Sequence, residues 1–314
     1  MKTKQDLHKA LLSWYEANGR HDLPWRNTNN LYHIYLSEVM LQQTQVERVR
    51  EEYYPKFLDA FPSLKNLADA QVEDVLSLWS GLGYYLRARN LHKTAKLTQG
   101  DLPTTVDELL KLPGIGRYTA SAICSFGLKQ NVPVVDTNIK RVLIRLFALK
   151  NPKEATIWQK AKEILNHNKP KEHNLALMDL GSLICTPKDP KCDLCPLKSH
   201  CLGKEIAKEL VAVKKKEYIA MDLFFGIHIR DAHIAMTPST NGMYKGMLVF
   251  PEVDPIEENF LGSYKHSYTK YRLTVNLYKT DSIPKDVVWV ELENFLDGHF
   301  PSLVKKAAKF LNFS

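Results

Sequence analysis

Four of the five cysteines fall together, as Cys185-x6-Cys192-x2-Cys195-x5-Cys201, in a short segment that also carries Pro187, Pro190 and Pro196. This spacing constrains the chain more than any other feature. It is ligand spacing in a loop, not the framework of a disulfide-stapled secreted domain. Four thiolates suit a tetrahedral Zn²⁺ or a cubane iron–sulfur cluster. The even two-plus-two pairing of zinc ribbons is absent, which tilts the reading toward a 4Fe–4S cluster while leaving zinc open. The fifth, Cys124, stands alone in an apolar run.

Around this loop the pattern is helical. From Lys4 to about Leu202, apolar residues recur at helical spacing between Pro, Gly and Asn breaks, with no sustained alternation of period two. Helices are predicted near 5–18, 31–46, 47–60, 71–79, 84–98, 105–111, 116–127, 138–149, 154–167 and 172–184. The run from Lys204 to Glu217, with Lys214-Lys215-Lys216, reads as an exposed helix end and linker. From Tyr218 the texture changes. The segments 224–229, 247–250, 271–278 and 287–290 are β-rich and separated by turn residues, and 302–311 looks helical. The expected architecture is mainly α over residues 1–203, a linker over 204–219 and a smaller α+β domain over 220–314.

The chain has 314 residues and a formal net charge of +8, all of it carried by residues 1–219. Any surface for an acidic partner therefore belongs to the first domain. No stretch approaches the roughly 18 apolar residues of a membrane span, and no signal-peptide pattern opens the chain. A soluble protein that stays in the cytoplasm, associated with the nucleoid, is expected.

Three further segments can carry chemistry. Leu112-Pro113-Gly114-Ile115-Gly116-Arg117-Tyr118-Thr119-Ala120 joins two helical patterns by a turn with two glycines. Gly114 and Gly116 would let a phosphate approach backbone N–H groups at a helix start. A lone Gly-x-Gly is usually an ordinary turn; beside the basic charge and the cysteines it points to a helix-hairpin-helix gripping DNA without reading sequence. Glu38 has Ile34, Tyr35 and Leu41 as helical neighbours, which puts a carboxyl on an apolar stripe. Such a residue is either a boundary side chain reaching for water or a general acid of raised pKa. Asp136, in Val134-Val135-Asp136-Thr137-Asn138, occupies a helix N-cap position. There the helix end favours an ionised carboxylate, and an ionised Asp opposite a protonated Glu is the pair that glycosidic cleavage uses.

Together these segments resemble the MutY-type adenine DNA glycosylases of the helix-hairpin-helix superfamily. The resemblance is carried by Leu23-Pro24-Trp25-Arg26, by Ser37 to Thr44, by Gly81-Leu82-Gly83-Tyr84-Tyr85, by the Leu112 to Ala120 hairpin, by Asp136-x-Asn138 and by the four cysteines. It implies a 4Fe–4S cluster on Cys185, Cys192, Cys195 and Cys201, and a Nudix-like second domain lacking the acidic Nudix motif. It also implies a monomer acting on duplex DNA with adenine opposite 8-oxoguanine or guanine. Glu38 would protonate the departing base, Asp136 would stabilise the sugar cation, Asn138 would orient Asp136, and Tyr118 would buttress the site. Trp25, Arg26, Leu41, Val46 and Asp179 would line the base pocket, while Gln42 with Tyr84 or Tyr85 would wedge the duplex.

The chain departs from the family at two places. Thr137 stands where the family usually has Gly, adding β-branched bulk beside the sugar. In the stretch that reads 8-oxoguanine, Thr269 and Lys270 replace the usual Ser and His, keeping a hydroxyl but exchanging an imidazole for an ammonium. Tyr118 stands where related lyases carry the Schiff-base Lys, which implies a monofunctional glycosylase, with Lys140 and Lys129 as the nearby amines. Two alternatives stand beside this reading: a mismatch glycosylase with another target base, and a non-catalytic damage-binding protein.

Overall fold

The computed structural model describes residues 3–211, 217–240, 243–244, 247–295 and 300–311. The chain packs as two units, Met1–Ala70 with Leu86–Lys214, and Gln71–Tyr85 with Lys215–Ser314. The segment Gln71–Tyr85, read above as part of the first domain, thus groups with the second unit. Lys214, Lys215 and Lys216 lie outside the described residues.

The first unit is helical. Helix Lys4–Asn18 starts with a capping box in which Thr3 and Asp6 satisfy each other's backbone N–H, and it buries Leu7, Leu11 and Tyr15 at four-residue intervals. These meet helices Thr137–Leu146 and Pro170–Leu183 in one core that includes Ile34, Ile139, Leu143, Leu177 and Leu180. Each such side chain contributes roughly 1.5–3 kcal/mol on leaving water. The expected helix 31–46 ends earlier, at Met40. Gln43 turns the chain with φ +60°, a left-handed conformation that a helix cannot contain. A short helix, Leu64–Asp69, capped by Ser63, went unread because six residues give too little periodicity. After the hairpin, helix Arg117–Ala122 runs into a π-helical stretch, Ile123–Gly127.

Asn174 has no sequence signature, yet it organises the approach to Asp136. Its side chain donates to Ser125 Oγ at 2.8 Å and Val132 O at 3.0 Å and accepts from Val134 N at 3.2 Å. Next to it, His173 is fully buried, and neither ring nitrogen has a hydrogen-bond partner among the described residues. Its ring lies edge-on to His8, with centroids 5.3 Å apart. Burial, then the charges of His8 and Lys4, push its pKa down to about 3 from the ordinary 6.5. The unfolded chain therefore binds a proton that the folded chain refuses in that interval. Stability is complete above about pH 6.5 and drains as pH falls toward 3. His173→Phe is expected to remove this loss and to raise stability by about 1–3 kcal/mol. Urea unfolding at pH 5 and pH 7.5 checks it; a variant weaker than wild type at both pH values would contradict it.

The second unit contains two sheets. In one, Tyr271–Lys279 is central, parallel to Ile219–Ile227 and antiparallel to Phe260–Tyr268. In the other, His233–Pro238 pairs with Ile229–Arg230, Leu248–Val249 and Val288–Glu291. Phe225, Val275, Leu277, Phe295 and Leu303 share the core. Two strands escaped the sequence reading. His233–Pro238 buries three residues in a row, Ile234 to Met236, so it does not alternate. Phe260–Tyr268 does alternate, but through Tyr264 and His266, and its ladder is interrupted between Phe260 and Gly262. Among the described residues no helix is long and apolar enough to cross a membrane.

Candidate active site

Glu38 lies in the last turns of helix Leu31–Met40, most of whose residues are buried, and only 5% of it is exposed. It does not reach for solvent. Tyr118, one residue into the helix that follows the hairpin, donates its hydroxyl to Glu38 Oε2. Burial pushes the Glu38 carboxyl up to about 7, with the charge of Asp136 adding to the rise and the Tyr118 hydroxyl and Arg26 opposing it. A carboxyl in this state holds or releases a proton near neutrality. Burial, Glu38 and Asp136 hold the Tyr118 phenol well above its ordinary value, so it stays a donor.

Asp136 caps helix Thr137–Leu146 and accepts from Ile139 N at 2.6 Å. Asn138 Nδ2 donates to its other oxygen at 2.8 Å. Burial works against the anion that the helix end favours. It raises the Asp136 pKa from the ordinary value, and the hydrogen bonds from Ile139 and Asn138 and the charge of Arg141 restrain the rise. Behind Asn138 stands Arg141, which the sequence reading missed. Its guanidinium donates to Asn138 Oδ1 at 2.8 Å, Gly181 O at 2.7 Å and Cys185 O at 2.7 Å. Gly181 permits this approach: a Cβ there would sit 2.7 Å from Asn138 Cβ.

Glu38, Tyr118, Asp136 and Asn138 open onto one cavity of about 330 Å³. Trp25, Arg26, Leu41 and Val46 line it, together with Thr137 and Lys171. Asp179 does not. It is completely buried behind the wall, where it takes Arg26 at 2.6 Å and Arg20 at 2.7 Å. Burial alone would raise its pKa, but the two guanidinium groups hold it below the ordinary carboxylate value. Its role in this geometry is to aim Arg26. An adjoining cavity of about 610 Å³ shares Glu38, Tyr118 and Asp136 and adds Gln42, Gln43, Lys140 and Glu154. Lys140 is ion-paired to Glu154 there. The hairpin between Val106–Leu109 and Arg117–Ala122 turns at Gly114, whose φ of +76° and closeness to Asn90 both exclude a side chain. Gly116 is the N-cap.

The four cysteines and Arg145 line one small cavity. Yet among the described residues no three His, Cys, Asp or Glu are grouped so as to hold a metal ion. Four thiols around one space are a donor set that suits either a tetrahedral zinc or a 4Fe–4S cluster. Arg145 is buried and ties the loop down, donating to Thr186 O at 2.7 Å, Pro187 O at 2.9 Å and Ala207 O at 2.7 Å. It also faces Cys185 Sγ at 3.4 Å, which places a cation beside this sulfur.

In the second unit a cavity of about 150 Å³ gathers Tyr84, Tyr85, Ser267, Tyr268 and Thr269. Tyr84 and Thr269 have φ of +50° and +52°. Lys270 is not among the lining residues. It occupies the hairpin turn before Tyr271, with its ammonium 5.4 Å from that ring.

Comparison with known proteins decides the family. An adenine DNA glycosylase of Buchnera aphidicola subsp. Schizaphis graminum is 34% identical over 335 residues, covering 95% of this chain and 96% of that protein. The chain belongs to the adenine DNA glycosylase family. Its residues 36–167 match the model of the HhH-GPD superfamily of base excision DNA repair proteins. The adenine DNA glycosylase of Mus musculus is 42% identical over 209 residues, 61% of this chain and 40% of that one. By fold, a thermostable thymine-DNA glycosylase superposes with a TM-score of 0.61 at 26% identity, over 65% of this chain and 97% of its own. An endonuclease III–DNA complex gives 0.56 at 22%, over 67% and 100%. An adenine DNA glycosylase is a hydrolase of N-glycosidic bonds.

Proposed function

We propose that the chain is a monofunctional adenine glycosylase that hydrolyses the N-glycosidic bond of adenine paired with 8-oxoguanine or guanine. The observation that carries this reading is the buried Glu38, bonded to Tyr118, on the same cavity as Asp136. Adenine is extruded from the duplex into the space between Trp25, Arg26, Leu41 and Val46. Glu38 passes its proton to N7, so the base departs neutral and the N9–C1′ bond breaks. Asp136, oriented by Asn138, stabilises the cationic sugar until water adds at C1′. Gln42 enters the gap in the stack, Tyr84 or Tyr85 is a further wedge residue, and the backbone at Gly114 and Gly116 holds a phosphate.

Tyr118 supplies no amine at the hairpin, and Lys140 is engaged by Glu154, which supports hydrolysis over lyase chemistry. In the Nudix-like second unit, the hydroxyls of Thr269 and Ser267, with Tyr268, Tyr84 and Tyr85, would receive the 8-oxoguanine partner. Lys270 lies beside this cavity and meets the backbone instead. Cys185, Cys192, Cys195 and Cys201 would hold a 4Fe–4S cluster, which when bound cross-links the loop.

The test is single-turnover base release from duplexes with A opposite 8-oxoguanine, A opposite G, A opposite C and T opposite G, developed with alkali. Adenine loss fastest opposite 8-oxoguanine is expected. The likeness to a thymine-DNA glycosylase favours one competing reading, and thymine release from T opposite G without adenine release would establish it instead.

A further inference from the structure

One guanidinium gathers the end of the helix that carries Glu38. Arg87, on helix Leu86–Leu97, donates through Nη1 to Val39 O at 2.8 Å, Met40 O at 2.9 Å and Gln42 O at 2.6 Å, and through Nη2 to Thr44 Oγ1 at 3.4 Å. It is a buried cation, 9% exposed. Helix C-termini leave carbonyls without intrahelical partners and carry partial negative charge, so a cation is favoured there. Here the cation also fixes the residues beyond the helix. Leu41 and Thr44 wall the base cavity, and Leu41, Gln42 and Gln43 border the adjoining one. Gln43 is held at φ +60°, a conformation that costs a non-glycine residue free energy and persists only when its surroundings impose it.

We propose that Arg87 is a positioning residue for base extrusion, holding Leu41–Thr44 rigid so that Gln42 can enter the stack while Leu41 closes the cavity behind the base. The inference rests on the base-excision reading above. Arg87 acts through the carbonyls it binds; it does not touch the base. Insertion into a stacked duplex pushes back on the inserting segment, and a segment that yields would leave the target base stacked. Lysine cannot replace arginine here, because with one nitrogen it cannot bind the three carbonyls and reach Thr44 through a second.

The experiment uses the full chain with Arg87→Lys and Arg87→Met on two substrates. One is a duplex in which the target adenine is paired with 8-oxoguanine and 2-aminopurine stands beside it. The other carries the same target opposite an abasic site, where extrusion breaks no base pair. Wild type is expected to raise 2-aminopurine fluorescence on binding and to release adenine from both. Both variants are expected to lose the fluorescence rise and to slow on the order of 10²-fold on the paired duplex. On the unpaired target the loss should shrink several-fold. Equal losses on both substrates, or a full fluorescence rise in the variants, would overturn the assignment and leave Arg87 a purely structural residue. If wild type releases adenine from neither substrate, the base-excision reading fails first and takes this inference with it.

Discussion

Glu38→Gln binds the mispaired duplex as wild type does and releases adenine about 10²–10⁴-fold more slowly, the range expected for loss of a general acid. The amide has the shape of the carboxyl, and its oxygen can still accept the Tyr118 hydroxyl, so the cavity and the extruded base are undisturbed. What it lacks is an acidic proton. Adenine is a poor leaving group as an anion, and of the two carboxyls on the cavity Glu38 is the one pushed up to about 7, while Asp136 accepts hydrogen bonds from Ile139 N and Asn138 that favour its anion. Mobility-shift binding and single-turnover release on one preparation separate the two effects. Normal excision by the variant would contradict the acid assignment.

Asp136→Asn is expected to slow release by about 10²–10³-fold, because the positive sugar loses its facing charge. Folding should hardly notice. Asn caps helices about as well as Asp, so the bond from Ile139 N and the start of helix Thr137–Leu146 survive. The outcome that would sink this account is a variant that excises normally, or one whose lost activity tracks a lowered melting temperature. Either would make Asp136 a cap and nothing more.

The two carboxylates and the cysteines are legible as candidates because each combines a residue type with a local position: Glu38 on an apolar stripe, Asp136 before a helix, four thiols within one loop; Tyr118 enters only through the resemblance. Arg141, Arg145 and Arg87 are not legible. Each is a buried arginine whose partners are backbone carbonyls brought close only by folding. A lone Arg within a helical pattern reads as a solvated residue. Asp179 is assigned to the base cavity by the resemblance alone; two arginines from the Arg20–Arg26 segment consume it, which no local pattern reveals. The weakest part was the second unit. Its strands alternate through Tyr and His, or do not alternate at all, and of the two residues of the hairpin turn between Tyr268 and Tyr271 only Thr269 lines the cavity while Lys270 does not, a division that no local pattern reveals.

The central claim is that burial keeps Glu38 protonated near neutrality to serve as the acid. The pH dependence of single-turnover adenine release tests it most directly. A group raised to about 7 donates below that pH and not above it, so the rate should fall as pH rises through about 7, tenfold per unit well beyond it. Glu38→Gln should lose this limb along with the rate. A rate that is flat or rising between pH 6 and 9 would mean that Glu38 does not deliver the proton.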